Sequence, residues 1–248
     1  MARSIRSTPT GGRLAGAAVL GYLAGAVPVA DLAARLAGGG ADLRSAGSGN
    51  PGAANAMAVL GPRWGYAVLV ADVAKGAVAS AAGRRVAGDL GAHVGGTAAV
   101  AGHCWPVTTG FRGGKGVAAS VGQCLVTFPA YFPIDLAVAG LTSASPRWRR
   151  RAMAATAVAS TCWVASGVVW WRRSLPNAWG PRPTPALPAA AAVSSALILH
   201  RFLLARRSAG EPPPGAREPL PVPLPARVLD DGEAIPPVVS TPSEDRAA

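Results

Sequence analysis

The sequence predicts an all-α integral membrane protein of about seven transmembrane helices, six being the alternative count, with a disordered C-terminal tail. Three observations lead there. Half of the 248 residues are hydrophobic and only 15% are charged, below the charge density of an ordinary soluble domain, and the mean hydropathy is +0.29. The apolar residues gather in runs long enough to cross a bilayer, separated by basic clusters or Gly/Pro breaks. The 31 glycines, with abundant alanine, supply the small residues that let membrane helices approach closely.

The first run, 14–36, follows Arg3, Arg6 and Arg13. It is too long for the apolar core of a signal peptide and further runs follow it, so it reads as a first transmembrane helix. Later runs are 65–83, 90–109, 116–146, 152–171 and 184–204. Within 116–146, Pro129 and Pro133 interrupt helical hydrogen bonding, which predicts two short spans. Arg147, Arg149, Arg150 and Arg151 form the densest basic loop and are expected in the cytoplasm. Two spans in 116–146 then place Arg112 and Lys115 on that same side, with 38–64 and the C-terminus. The N-terminus, 84–89 and 172–183 fall outside, although Arg84, Arg85, Arg172 and Arg173 there depart from a strict positive-inside pattern. A single tilted span gives six helices and moves the glycine-rich loops to the other face.

Charge divides the chain into two parts. Of the twelve acidic residues seven follow residue 207, so residues 1–207 hold 21 basic residues against five aspartates, a net +16. Ten of the 23 prolines lie in 208–248 without any long apolar period, which predicts a membrane domain over 1–207 and a Pro-rich, acidic, disordered cytoplasmic tail over 208–248. The basic body suits anionic partners and membrane lipids. Nucleic acid is excluded as a partner because the basic residues punctuate apolar spans instead of interleaving with aromatics on a soluble face. Cys104, Cys124 and Cys162 are widely spaced and form neither a disulfide framework nor a metal-ligand pattern; no metal and no cofactor is implied.

Two loops carry the chemistry. The first runs from Arg44 through Gly47, Ser48, Gly49, Asn50 and Gly52 to Asn55. It contains a GxGxxG spacing, but its flanks are membrane helices instead of a βαβ unit. What survives is local: glycine amides, with Ser48, Asn50 and Asn55 as added donors, suit a phosphate-sized anion. The second runs from His103 to Arg112, Gly113, Gly114, Lys115 and Gly116 at the start of an apolar helix. It departs from a nucleotide-binding P-loop at Thr109 and Gly116, yet a lysine between glycines at a helix N-terminus clamps anions. Asp72 and Lys75, three residues apart in an apolar run, share one helical face and read first as a mutually neutralising pair. His200 and Arg201 close the last apolar run; residues so placed usually anchor at the interface.

Taken together, the Gly47–Asn55 loop, Asp72 with Lys75 and Gly76, the Gly102–Ala118 segment and His200–Arg201 closely resemble the acyl-phosphate-dependent glycerol-3-phosphate acyltransferases, the PlsY family, over about 15–210. The resemblance implies a seven-helix protein of the bacterial inner (plasma) membrane with its phosphate-binding loops in the cytoplasm. It implies transfer of a fatty acyl group from acyl phosphate to the 1-hydroxyl of glycerol 3-phosphate, giving lysophosphatidate and phosphate for phospholipid synthesis. Carried over to this chain, the catalytic residues are Lys115 and His200. The substrate-binding residues are Arg44, Ser48, Gly49, Asn50, Gly52, Asn55, His103, Arg112, Gly113, Gly114 and Arg201. The proton acceptor for the attacking hydroxyl is left among His200, His103 and a substrate phosphate oxygen.

The chain departs from the family pattern at several polar positions. Ala26, Ala54 and Ala58 stand where a small polar residue, a threonine and an arginine are usual, Met153 where a serine is expected, and Leu203 where an asparagine is. These replacements keep a second reading open: a divergent noncatalytic relative that binds lipid or phosphate ligands.

Overall fold

The computed structural model describes residues 10–38, 41–144 and 152–210. The basic cluster at 147–151 and the tail beyond 210 lie outside the described residues. All regular structure among the described residues is helical. Helices α1 (Gly11–Gly25) and α2 (Val29–Leu36) share the first apolar run, which sequence reading took as one helix. Pro28 breaks it, having no amide to donate and forcing the preceding residue out of helical geometry. Helix α3 (Ala53–Leu60) lies in a stretch expected to be loop.

Helix α4 (Pro62–Cys104) begins with a proline in its first turn, where a missing amide costs nothing. The apolar stretch Pro62–Thr109 has 48 residues, about 70 Å of helix and twice the thickness of a bilayer core. The backbone breaks at Ala87 (φ −133°) and Gly88 (φ +65°), and glycine tolerates the positive φ. One run thereby makes two crossings. After a 3₁₀ turn (Val107–Thr109) come α5 (Val117–Thr127), α6 (Phe132–Ala144), α7 (Ala152–Arg173) and α8 (Ala186–Gly210). The 116–146 run is thus split where Pro129 and Pro133 predicted. Counting α1 with α2 as one segment and the arms of α4 as two, and setting aside the eight-residue α3, the described residues hold seven helical segments.

Hydrogen bonds identify the two ends of this bundle. At one, Arg44 Nε donates to the Arg112 carbonyl at 2.9 Å, Thr108 Oγ1 to the Ala26 carbonyl at 2.6 Å and Tyr22 to the Trp105 carbonyl at 2.7 Å. At the other, Arg84 donates to the Trp179 carbonyl, Trp179 Nε1 to that of Leu125 and Asn177 to that of Thr127, at 2.9–3.0 Å. Both glycine-rich loops therefore sit at the same end, as an even number of crossings between them requires.

The helices touch backbone to backbone. A Cβ on Gly21 or Gly25 of α1 would overlap the carbonyls of Gly95 or Ala99 in α4, and one on Gly76 or Gly122 would overlap those of Ala119 or Val73 between α4 and α5. Mid-bundle, Gln123 of α5 donates to Thr97 at 3.1 Å and accepts from Ser194 of α8 at 2.8 Å. Such bonds tie three helices where lipid offers no polar alternative.

Candidate active site

The first loop is organised around Asn55. Its side chain is 3% exposed; Nδ2 donates to the carbonyls of Leu43 (2.9 Å) and Ala46 (3.0 Å), and Oδ1 accepts from the Ser48 amide (2.8 Å). Gly47, at φ +59°, lies so close to Asn55 that a Cβ would overlap it. Ser48 and Gly49 are left exposed at the tip, with Asn50 half-buried and Gly52 buried. Asn55 therefore spends its donors holding the loop, the Ser48 and Gly49 amides bond within it to Asn55 and to the Ala46 carbonyl, and Ser48 itself stands exposed at the tip.

Arg44 joins the two loops. Its guanidinium meets both oxygens of Asp31 in α2, Nη2 reaching Oδ2 at 3.0 Å, and its Nε takes the Arg112 carbonyl. The Asp31 hydrogen bond raises the Arg44 pKa above the ordinary arginine value, so it stays a cation. Around this pair lies a cavity of about 390 Å³ lined by Arg35, Arg44, Arg112, Asp31, Asp42 and Thr109 among others. Three arginines against two aspartates leave it positive, and its size suits a small phosphate ester.

Beneath it the site narrows to a crevice of about 20 Å³ bounded by Asp31, Arg44, Asp72, Lys75, His103, Gly113 and Gly114, room for a water and not for a phosphate. Asp72 is 2% exposed and His103 7%. The Asp72 carboxylate takes Lys75 Nζ at 2.8 Å and stands 3.4 Å from His103 Nδ1, while Lys75 also reaches the Val27 carbonyl at 3.3 Å. Such sharing compensates charges that are costly inside a membrane helix bundle. Gly114 packs so tightly on His103 Nε2 that a Cβ there would overlap it.

Lys115 and His200 occupy the other side of the glycine loop. Lys115 Nζ lies 4.4 Å from the centre of the Phe202 ring; partial burial, and then the nearby Arg201, lower its pKa below the usual lysine value. His200 is exposed, its ring 5.9 Å from that of Trp105. Arg201 faces the loop backbone, Nη2 donating to the Gly113 carbonyl at 2.6 Å and Nε to that of Gly114 at 3.1 Å. Gly116, at φ +88°, begins α5 against the Cys104 thiol.

Arg44, Arg112, His103, Gly113 and Gly114 thus meet in one cleft, with Lys115, His200 and Arg201 behind its glycine wall. Sequence reading left Asp31, Arg35 and Thr109 out of the site, and set Asp72 and Lys75 aside as a neutralising pair. The i,i+3 spacing of Asp72 and Lys75 in an apolar run was the available signal; Asp31 and Arg35 carried none.

Residues 15–208 match the family model described as glycerol-3-phosphate acyltransferase. A protein of that name from Jannaschia sp. is 36% identical over 79% of this chain and 90% of its own length. One from Exiguobacterium sibiricum is 46% identical over 49% of this chain and 58% of its own length. The solved structure of PlsY, an integral membrane glycerol 3-phosphate acyltransferase in its glycerol 3-phosphate form, is 28% identical with a TM-score of 0.62, covering 79% of this chain and 92% of that one. The lysophosphatidic acid form gives 25% identity and a TM-score of 0.59 over the same shares. A membrane bundle with both glycine loops at one end, matched by that model across most of its length, belongs to the glycerol-3-phosphate acyltransferase family.

Proposed function

We propose that this chain transfers a fatty acyl group from acyl phosphate to the 1-hydroxyl of glycerol 3-phosphate. The observation that carries the reading is the pairing of two anion sites across one glycine wall: the arginine-lined cavity on one side and Lys115 on the other. Glycerol 3-phosphate places its phosphate among Arg35, Arg112 and Arg44. Acyl phosphate places its phosphate by Lys115, and its chain runs among the apolar helices.

The 1-hydroxyl oxygen attacks the acyl carbon, the bond from that carbon to the bridging phosphate oxygen breaks, and phosphate leaves. Charge gathers on the leaving phosphate, where Lys115 and the loop amides favour it. The mixed anhydride is already activated, so holding the two substrates in contact supplies much of the acceleration. The hydroxyl proton passes to an oxygen of the departing phosphate, which becomes more basic as it leaves. His103, held between Asp72 and Gly114, shapes the floor on which the reacting groups meet. His200, exposed against Trp105, is placed to contact the donor phosphate.

The noncatalytic alternative rests on the replaced polar positions. Ala54 and Leu203 are exposed and stand outside the cleft, and at Ala26 it is the backbone carbonyl that is used, by Thr108. Intact ion pairs around the cavity favour catalysis.

We place the protein in the bacterial inner membrane with both glycine loops in the cytoplasm, where soluble glycerol 3-phosphate is available. Turnover of Lys115→Ala and His103→Gln tests the mechanism. Severe loss for the first and substantial retention for the second is expected; a normal Lys115→Ala enzyme overturns the clamp, and a dead but folded His103→Gln enzyme makes His103 the base. A cysteine at position 112 that reacts only from outside the cell contradicts the orientation.

A further inference from the structure

A second cavity, of about 140 Å³, lies within the helices between α5, α6, α7 and α8. Its wall is mostly apolar, formed by Val117, Val121, Val138, Ala155, Ala159 and Ile198. It begins beside Val117 and Ile198, two residues from Lys115 and from His200 respectively. It continues to Cys124, seven residues further along α5, about 10 Å of helix. An alkyl chain whose activated end lies by Lys115 has this cavity directly in front of it.

The cavity does not end as a plain alkyl chain would require. Asp135 and Trp163 line it with Cys124, and Trp163 packs in one cluster with Cys124. Trp163 is 7% exposed and its Nε1 has no hydrogen-bond partner. The Asp135 side chain has no hydrogen bond or ion pair among the described residues, although it stands in a helix of the bundle where an ionisable group is costly unless used. An unpartnered indole N–H and a half-buried carboxyl lining the same cavity are complementary to a hydroxyl, which accepts from the first and donates to the second. Ser120, Thr156 and Ser160 add hydroxyls to the same wall; those of Ser120 and Thr156 donate to carbonyls of their own helices.

We propose that this cavity is the acyl-chain site and that it selects donors carrying a hydroxyl partway along the chain, with Trp163 and Asp135 as the selecting pair. This rests on the acyltransferase reading above. Neither residue touches the reacting atoms, so both act on which chain is taken and not on the transfer itself. Two measurements separate the proposal from the reading beneath it.

The first compares kcat/KM for stearoyl phosphate with that for stearoyl phosphates hydroxylated at carbon 8, 10 or 12. One hydroxylated donor is expected to be favoured about tenfold, the worth of one well-made buried hydrogen bond. Trp163→Phe and Asp135→Leu are expected to abolish the preference, so that the hydroxylated and plain donors are turned over with equal kcat/KM. The second measures binding of the matching hydroxystearate and of stearate to the purified protein in detergent, independently of turnover. Tighter binding of the hydroxylated chain, lost in Trp163→Phe, supports the site even if no donor is turned over. Equal or weaker binding of the hydroxylated chain overturns it even if acyl transfer proceeds normally, and so does a preference that survives both substitutions.

Discussion

Arg201 Nη2 donates to the main-chain carbonyl of Gly113 at 2.6 Å, while its Nε takes the next carbonyl, Gly114, at 3.1 Å. The last helix thereby sets the position of the glycine wall between the two anion sites. The family resemblance pointed to Arg201 as a substrate ligand; in this geometry its fork is committed to the loop. Removing it takes the charged donor from two part-buried carbonyls of a tightly packed glycine pair.

Arg201→Ala and Arg201→Lys should therefore both lower kcat by at least about tenfold, since hydrogen bonds from a charged donor contribute about 1.5–3 kcal/mol and an ammonium cannot reproduce the planar fork. The same lost bonds should lower the thermal midpoint in detergent by a few degrees while the fold persists. An Arg201→Lys enzyme of normal kcat contradicts the fork.

Asn55→Ala should loosen the first loop. Three hydrogen bonds go at once: the Leu43 carbonyl and the Ser48 amide lose their partner, while the Ala46 carbonyl keeps the Gly49 amide. Each left unmet in a buried place costs about 1–3 kcal/mol. The expected result is a raised KM for glycerol 3-phosphate and faster proteolysis within 41–52. Unchanged proteolysis and KM would show that the loop holds itself.

Lys115 provides a pH test. Burial lowers its folded-state pKa below the free value, so between the two the unfolded chain binds more protons and the substrate-free fold gains stability as pH rises through that window. Donor binding runs the other way, because the clamp loses its charge over the same window. The alkaline limb of kcat/KM for acyl phosphate should fall at a lower pH than for an ordinary lysine and move upward in Lys115→Arg. An unmoved limb assigns it to another group.

Gly122→Val should act on the fold alone. A Cβ at this position would overlap the Val73 carbonyl, forcing α5 away from α4 at a cost of about 1–3 kcal/mol or more. A lowered thermal midpoint in detergent is expected, and an unchanged midpoint contradicts the close approach.

How far the sequence could be read follows from which signals are local. Pro129 and Pro133 act on their own backbone, so the split of 116–146 was visible; the parity that brings both glycine loops to one end came from the two runs 65–83 and 90–109 between them. The break between the arms of α4 was visible as the gap at 84–89 between the runs 65–83 and 90–109; only its form, a positive φ at Gly88, was not, because one glycine in a chain with 31 does not announce it. The junction of Asp31 with Arg44 depends on the turn at Pro28, which brings residues 13 apart into contact. Arg201 shows the limit of resemblance: the motif marks the residue, but only its position over the Gly113 and Gly114 carbonyls says what it holds.

The most direct test of the central claim follows phosphate release and lysophosphatidate formation together, using the purified protein in detergent with a long-chain acyl phosphate, with and without glycerol 3-phosphate. The account predicts that both products appear in equal amounts and only with the acceptor present. Well-folded protein that binds glycerol 3-phosphate yet forms neither product, or phosphate released without lysophosphatidate, would contradict it.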